Sequence, residues 1–132
     1  MTDRETLLLI PYPRRLTRGA GTLDLSAGET VHLGGARPAD LLFTAEQLRG
    51  LLEATTDQVW RLRAGLEEAI VRLTVDASLQ GGSEAYTLTI TPQRLEIVGG
   101  SAAGVFYGTQ TLTQLVRQFG PQLPCLEIED WP

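Results

Sequence analysis

The chain is poor in cysteine and has no lysine. Its single cysteine, Cys125, excludes an intrachain disulfide and a cysteine metal cage. Arginine supplies all 11 basic residues, and 16 acidic residues outnumber them, which leaves a net charge of −5. Because a nucleic-acid-binding domain needs clustered positive charge, this balance argues against nucleic acid as a partner.

Long apolar segments are missing near the N-terminus. The run from Leu7 to Ile10 has only four residues, whereas a signal peptide needs ~7–15 and a membrane span needs ~20. We therefore predict no membrane partner and, if Met1 is the native start, a cytoplasmic location. Apolar residues make up 42% and charged residues 20% of the chain, which is typical of one globular domain over residues 1–132 with a substantial core.

Local patterns predict several strands. Residues 69–75 are rich in β-branched residues, and residues 86–90 and 95–98 flank a hairpin turn at residues 91–94. Residues 14–17 and 22–25 are interpreted as two strands joined by a turn at Gly19-Ala-Gly21. Shorter strands are expected at residues 30–33 and 125–128, whereas residues 55–68 fit no single structure.

Two helices follow from apolar residues at helical spacing. The first is expected from Pro38 to about Glu53, and the second from Ala102 to Gln118 with Ser101 as its N-cap. The strands precede, separate and follow these helices. The economical arrangement is an α+β fold, a mostly antiparallel β-sheet with two helices packed on one face.

The second helix has an apolar stripe, which should face the sheet, and an opposite face with a single charge. A solvated helix face normally carries charges of both signs, so this face is either exposed without charge or covered by another domain or subunit. Off-stripe apolar residues on the first helix favour a covered surface, and an uncovered one could self-associate. The candidate interdomain interface consists of Leu42, Phe43, Tyr107, Gln110, Thr111, Gln114 and Gln118.

No residue pattern indicates catalysis, a metal or a cofactor. Glu127, Glu129 and Asp130 form an acidic cluster, and a carboxylate pair for glycoside chemistry is conceivable there. Nothing nearby in the sequence would raise one pKa, so a solvated strand face is the better interpretation. His32 is interpreted as a surface or hydrogen-bonded residue and Cys125 as a small buried hydrophobe. We predict no catalytic, cofactor-binding or metal-binding residue.

Two C-terminal segments resemble a known family. The run Gly104-Val-Phe-Tyr-Gly-Thr-Gln-Thr-Leu-Thr-Gln-Leu115, followed by Pro124-Cys-Leu-Glu-Ile-Glu-Asp-Trp-Pro132, is similar to the end of the small N-terminal domain of β-N-acetylhexosaminidases, glycoside hydrolase family 20. Ile10-Pro-Tyr-Pro13 and residues 84–90 are similar too. Related small domains precede other glycosidase barrels, but the Tyr-Gly-x-Gln-Thr-Leu run favours family 20.

This resemblance implies a non-catalytic domain whose two helices lie between its sheet and a (β/α)8 catalytic barrel. In the family, an adjacent Asp-Glu pair of the barrel removes terminal β-linked GlcNAc or GalNAc, with the substrate's 2-acetamido group as nucleophile. None of those residues matches a position here. The chain alone should therefore be inactive, and it ends on a strand as a piece of a longer protein would. Its expected role is to brace the C-terminal barrel.

A free-standing module that binds carbohydrate or protein is the alternative. Its exposed aromatic residues would be Tyr12, Trp60, Tyr86 and Trp131. A small enzyme in its own right is the third hypothesis, and it lacks any constellation of site residues.

Overall fold

A computed structural model describes residues 7–65 and 68–132 of the chain. The described residues form one mixed sheet and two α-helices. The helices are Leu42–Thr56 (α1), which follows a 3-10 turn at Pro38–Leu41, and Ala102–Phe119 (α2). The strands are Arg15–Asp24 (β1), Thr30–Gly34 (β2), Arg61–Ala64 (β3), Val71–Val75 (β4), Tyr86–Ile90 (β5), Leu95–Gly99 (β6) and Gln122–Asp130 (β7).

The strand order is β1-β7-β5-β6-β4-β2-β3. The pairs β1–β7, β7–β5 and β5–β6 are antiparallel, whereas β6–β4, β4–β2 and β2–β3 are parallel. The antiparallel ladders join more residues than the parallel ones, and the predicted α+β class with a mostly antiparallel sheet is confirmed. Helix α1 returns the chain from β2 to β3 in the same direction, as a crossover helix does, and so accounts for the parallel pairing of these two strands.

The predicted hairpin around Gly19-Ala-Gly21 is wrong. Residues 15–24 form one long strand, and both of its halves pair with β7, through Arg15 opposite Glu129 and Leu23 opposite Leu123. The register shifts between Arg18 and Thr22. The glycines therefore accommodate extra residues in a bulge, which lets the strand continue in one direction instead of reversing it.

Helix α1 extends beyond its predicted end at Glu53. Thr56 is still helical, and its hydroxyl donates a hydrogen bond to the carbonyl of Leu52 (2.7 Å) one turn earlier. The helix ends at Asp57, which adopts a left-handed backbone conformation (φ 58°). Within the segment that the sequence left undecided, residues 61–64 form β3, and residues 66 and 67 lie outside the described part.

The core lies between the helices and one face of the sheet. Leu73, Leu88 and Ile97 point into it from β4, β5 and β6 and are fully buried. Helix α2 approaches this face closely: a Cβ added to Gly108 would lie 2.6 Å from the Cγ2 of Ile97, and one added to Gly104 would lie 2.3 Å from the carbonyl oxygen of Ala85. The two glycines thus set the distance between α2 and the sheet, as the predicted stripe requires.

Candidate functional site

The outer flank of α2 contacts the chain's own N-terminal segment. We call residues 7–14 the strap. The amide N–H of Ile10 donates to Oε1 of Gln114 (2.9 Å), and Nε2 of Gln114 donates to the carbonyl of Ile10 (3.1 Å). One turn later, the N–H of Leu8 donates to Oε1 of Gln118 (3.3 Å). Two of the candidate interface glutamines therefore bind the strap.

These contacts explain why this flank of α2 is uncharged. A strap backbone offers both N–H and C=O groups, and an amide side chain can bond to both, whereas a carboxylate only accepts and an ammonium only donates. The sequence signals that were available are the spacing of Gln114 and Gln118, one helical turn apart, and the short apolar run at residues 7–10. Sequence reasoning missed the strap because neither signal identifies the other as its partner.

Thr111, a third candidate, lies in the interior. Its Oγ1 is 2.6 Å from the hydroxyl of Tyr86, and both side chains are buried. Burial raises the pKa of Tyr86, and the hydrogen bond with Thr111 acts in the opposite direction. The pair joins α2 to β5, and both residues also line the open cleft between the strap and α2.

The remaining candidates are exposed. Leu42 and Phe43 on α1 and Tyr107 on α2 are large apolar side chains in contact with solvent, and Gln110 is exposed beside Tyr107. Among the described residues, the exposed large hydrophobic side chains are Leu8, Ile10, Tyr12, Leu42, Phe43, Val59 and Tyr107. Apart from Val59, all of them lie on the helices or on the strap. This side of the domain has the character of a contact surface.

A groove and a cleft shape this surface. An open groove of about 470 Å³ runs between the helices and is lined in part by Leu51, Gln110 and Thr113. An open cleft of about 450 Å³ lies where the strap, α2 and the end of β7 meet, and its walls include Tyr12 and Tyr107. Both openings are shallow and solvent-accessible. They suit side chains of a partner surface better than an enclosed small ligand.

The strap is fastened to the end of β7. The N–H of Arg14 donates to Oδ1 of Asp130 (3.2 Å), and its Nε donates to the carbonyl oxygen of Trp131 (2.6 Å). The guanidinium groups of Arg14 and Arg15 lie 5.3 and 5.5 Å from the centre of the Trp131 ring, which is within cation–π range. The chain's first and last described segments are thus held together by direct contacts.

The acidic cluster has structural partners. Glu129 pairs with Arg15 (3.4 Å), and Asp130 accepts the N–H groups of Arg14 and Trp131. Glu127 is exposed on the face of β7 opposite its core residues. These contacts agree with the interpretation of this cluster as part of a strand and its end.

The single histidine and cysteine both lie inside the domain. His32 is buried in β2, which excludes the surface alternative of its interpretation and leaves the hydrogen-bonded one. Its neighbours in register, Arg63 of β3 and Arg72 of β4, flank it with long side chains. Cys125 is buried as predicted. Burial raises the pKa of its thiol, which disfavours the reactive thiolate.

Two of the four aromatic residues predicted to be exposed are buried. Trp60 is covered where α1 turns into β3, and its ring N–H donates to Oγ1 of Thr56 (3.1 Å). Tyr86 lies at the start of β5 beneath Gly108. A carbohydrate-binding face needs accessible ring faces. Because the guanidinium groups of Arg14 and Arg15 lie over the Trp131 ring, this ring is poorly placed to stack on a sugar.

Residues 7–65 and 68–132 contain no group of three or more His, Cys, Asp or Glu side chains that could hold a metal ion. In the same part of the chain, neither helix is long and apolar enough to cross a membrane.

Comparison with known proteins identifies the family. The sequence profile described as glycosyl hydrolase family 20, domain 2, matches residues 6–131. The chain belongs to glycosyl hydrolase family 20. The match covers the strap and every described strand and helix, and the resemblance inferred from residues 104–132 is confirmed.

The relatives of this family 20 domain are much longer than the domain itself. Lacto-N-biosidase of Bifidobacterium bifidum is 31% identical over 125 residues, 93% of this chain and 11% of that protein. Beta-N-acetylhexosaminidase of Cellulomonas fimi is 35% identical over 91 residues, 67% of this chain and 18% of that protein. The solved Streptomyces plicatus N-acetyl-beta-hexosaminidase superposes with a TM-score of 0.81 at 26% identity, over 95% of this chain and 26% of that chain.

Proposed function

We propose that this family 20 domain is a non-catalytic structural domain that docks, through its helical side, onto the catalytic domain of the same protein. The parent activity would be that of a β-N-acetylhexosaminidase, which removes terminal β-linked GlcNAc or GalNAc by the substrate-assisted retaining route. The observation that carries the proposal is the concentration of exposed apolar side chains on the helices and strap. The domain spans only 11–26% of the relatives compared. The rest of such a long chain would contain the partner on which the domain docks.

The free energy gained when a partner covers this side can be estimated from the exposed apolar area. Phe43 exposes 67% of its surface, and a buried aromatic side chain covers roughly 150–250 Å². At about 25 cal/mol per Å², covering the exposed part of Phe43 contributes roughly 3 kcal/mol to domain association. Tyr107 contributes in the same sense. A charged side chain at either position would oppose docking without disturbing the core of the domain.

The test compares two proteins: the 132-residue chain and a longer protein in which its catalytic domain follows. In a chromogenic β-GlcNAc hydrolysis assay, only the longer protein should be active. Activity in the short chain would refute a non-catalytic role. Activity in neither would favour the alternative, a binding module, which glycan titration would then examine.

Phe43→Glu and Tyr107→Glu test the docking surface. Each should lower the thermal midpoint of the longer protein by more than that of the 132-residue chain, because Phe43 is 67% and Tyr107 44% exposed in the short chain. Light scattering on the short chain is the control for self-association through the same surface. An unchanged midpoint in both longer variants would contradict docking through the helices.

A further inference from the structure

We propose that the strap is itself a docking element, on which Leu8, Ile10 and Tyr12 form an apolar ridge that the catalytic domain covers. The inference rests on the proposed function and extends it. It assigns part of the interface to a segment that is neither helix nor strand. The helices alone were the expected contact. The strap covers the flank of α2 that carries Gln114 and Gln118, so a partner that approaches this flank meets the strap first.

The ridge arises from alternation along the strap. Leu7 and Leu9 turn inward and are buried, whereas Leu8, Ile10 and Tyr12 turn outward with 68%, 82% and 61% of their surface exposed. An irregular segment with no partner normally exposes polar side chains, because exposed apolar surface promotes association. The side chains of these three residues contain no charged group, so the complementary surface is an apolar patch.

The strap is held rigidly enough to serve as an interface. Gln114 bonds to both backbone groups of Ile10, Gln118 accepts from the N–H of Leu8, and Asp130 accepts from the N–H of Arg14. Fixing the backbone before association reduces the entropy lost on binding. Gln114 and Gln118 are therefore positioning residues, which present the ridge without needing to touch the partner.

The partner is identified by what adjoins the ridge. Ile10 and Tyr12 form one wall of the cleft, and Tyr107 of the proposed docking surface lines the same cleft. The ridge is thus continuous with the helical contact surface, and one partner can cover both. The last residues of the chain, 130–132, line the cleft as well, so a catalytic domain joined after them starts beside the ridge. We infer that this domain, and not a second copy of the chain, is the occupant.

Thiol labelling tests the ridge directly. Ile10→Cys, Phe43→Cys and Val59→Cys are each made in the 132-residue chain and in the longer protein with its catalytic domain. Modification rates are measured site by site from labelled peptides by mass spectrometry, with buried Cys125 as an internal slow reference. Val59 is the matched control, since it is apolar, 71% exposed and part of neither the helices nor the strap.

Ile10→Cys should react at least ~10-fold more slowly in the longer protein than in the short chain, and Val59→Cys should react equally in both. Equal rates for Ile10→Cys with protection of Phe43→Cys would overturn the strap inference and leave the proposed function intact. Equal rates in the two proteins for Ile10→Cys and also for Phe43→Cys would overturn both the strap inference and the proposed docking of the helical side. If slow labelling of Ile10→Cys already occurs in the short chain at high concentration and disappears on dilution, the occupant is a second copy and the assignment to the catalytic domain is wrong.

Discussion

The close approach of α2 to the sheet can be tested with three glycine-to-alanine substitutions that differ only in what the added methyl group meets. Gly50 lies in α1, where an added Cβ has no atom within 4 Å. Gly108 faces a side chain, the Cγ2 of Ile97 at 2.6 Å, and Gly104 faces backbone, the carbonyl oxygen of Ala85 at 2.3 Å. The series therefore separates helix propensity from packing.

The magnitudes follow from these distances. Replacing a helical glycine by alanine stabilises a helix by about 1 kcal/mol, so Gly50→Ala should raise the free energy of unfolding by about that amount. An added methyl group in a filled core costs about 1–3 kcal/mol. Gly108→Ala should therefore be destabilising by roughly 0–2 kcal/mol, since the packing cost is partly offset by the higher helix propensity of alanine. Gly104→Ala should be the most destabilising, by about 2 kcal/mol or more, because a backbone carbonyl cannot move aside alone.

Urea unfolding of the 132-residue chain, followed by the fluorescence of its two tryptophans, measures the series. With an m-value of about 1–3 kcal/mol/M, the Gly104→Ala midpoint should fall by roughly 1 M or more and the Gly50→Ala midpoint should rise. Gly50→Ala is also the control for general effects of alanine in a helix. A Gly104→Ala chain as stable as the Gly50→Ala chain would show that α2 does not approach β5 closely, and the packing described above would be incorrect.

Two further predictions concern buried ionisable groups. Tyr86→Phe removes the hydroxyl contact with Thr111 and should lower the free energy of unfolding by about 1 kcal/mol in urea titrations. Because burial raises the pKa of Tyr86 above its ordinary 10.0, the contribution of its hydroxyl to wild-type stability should be intact below pH 10.0 and should be lost as the pH rises through the raised value. An equally steep loss of stability in Tyr86→Phe would contradict this cause. Buried Cys125, whose thiol pKa is also raised, should react with a disulfide reagent at least ~10-fold more slowly in the native chain than in urea. Rapid labelling of the native chain would show that the thiol is accessible to solvent and contradict its burial.

Elements defined by neighbouring residues were predictable from the sequence. Helix α2 begins at Ala102 as expected, because Ser101 accepts a hydrogen bond from the N–H of Ala103 (3.1 Å) and apolar residues recur at helical spacing. The turn between β5 and β6 was recognised because Thr91 and Arg94 close it locally. In both cases the residues that determine the structure lie within a few positions of one another.

Features that depend on distant residues were not predictable. Gly19 and Gly21 look like a turn, and only pairing with β7, more than 100 residues away, makes them a bulge. Strand β3 alternates polar and apolar residues over only four positions, too few to distinguish a strand from a loop, and it is a strand because β2 pairs with it. Gln114 was assigned to a partner surface because no local pattern shows that Ile10 satisfies its amide.

The pairing of β1 with β7 also sets the order of events when the chain is made. Within the described part of the chain, β7 is the sheet neighbour of β1, and Arg15 and Glu129 in this ladder are 114 residues apart. At a synthesis rate of about 5–20 residues per second, β1 leaves the ribosome roughly 5–25 s before β7 does. Exposed Arg15 and Arg18 discourage its pairing with strands of other chains during that interval. Strand β1 is therefore among the last strands of this sheet to be incorporated, and the contacts of Arg14 with Asp130 and Trp131 form only after translation has passed Trp131.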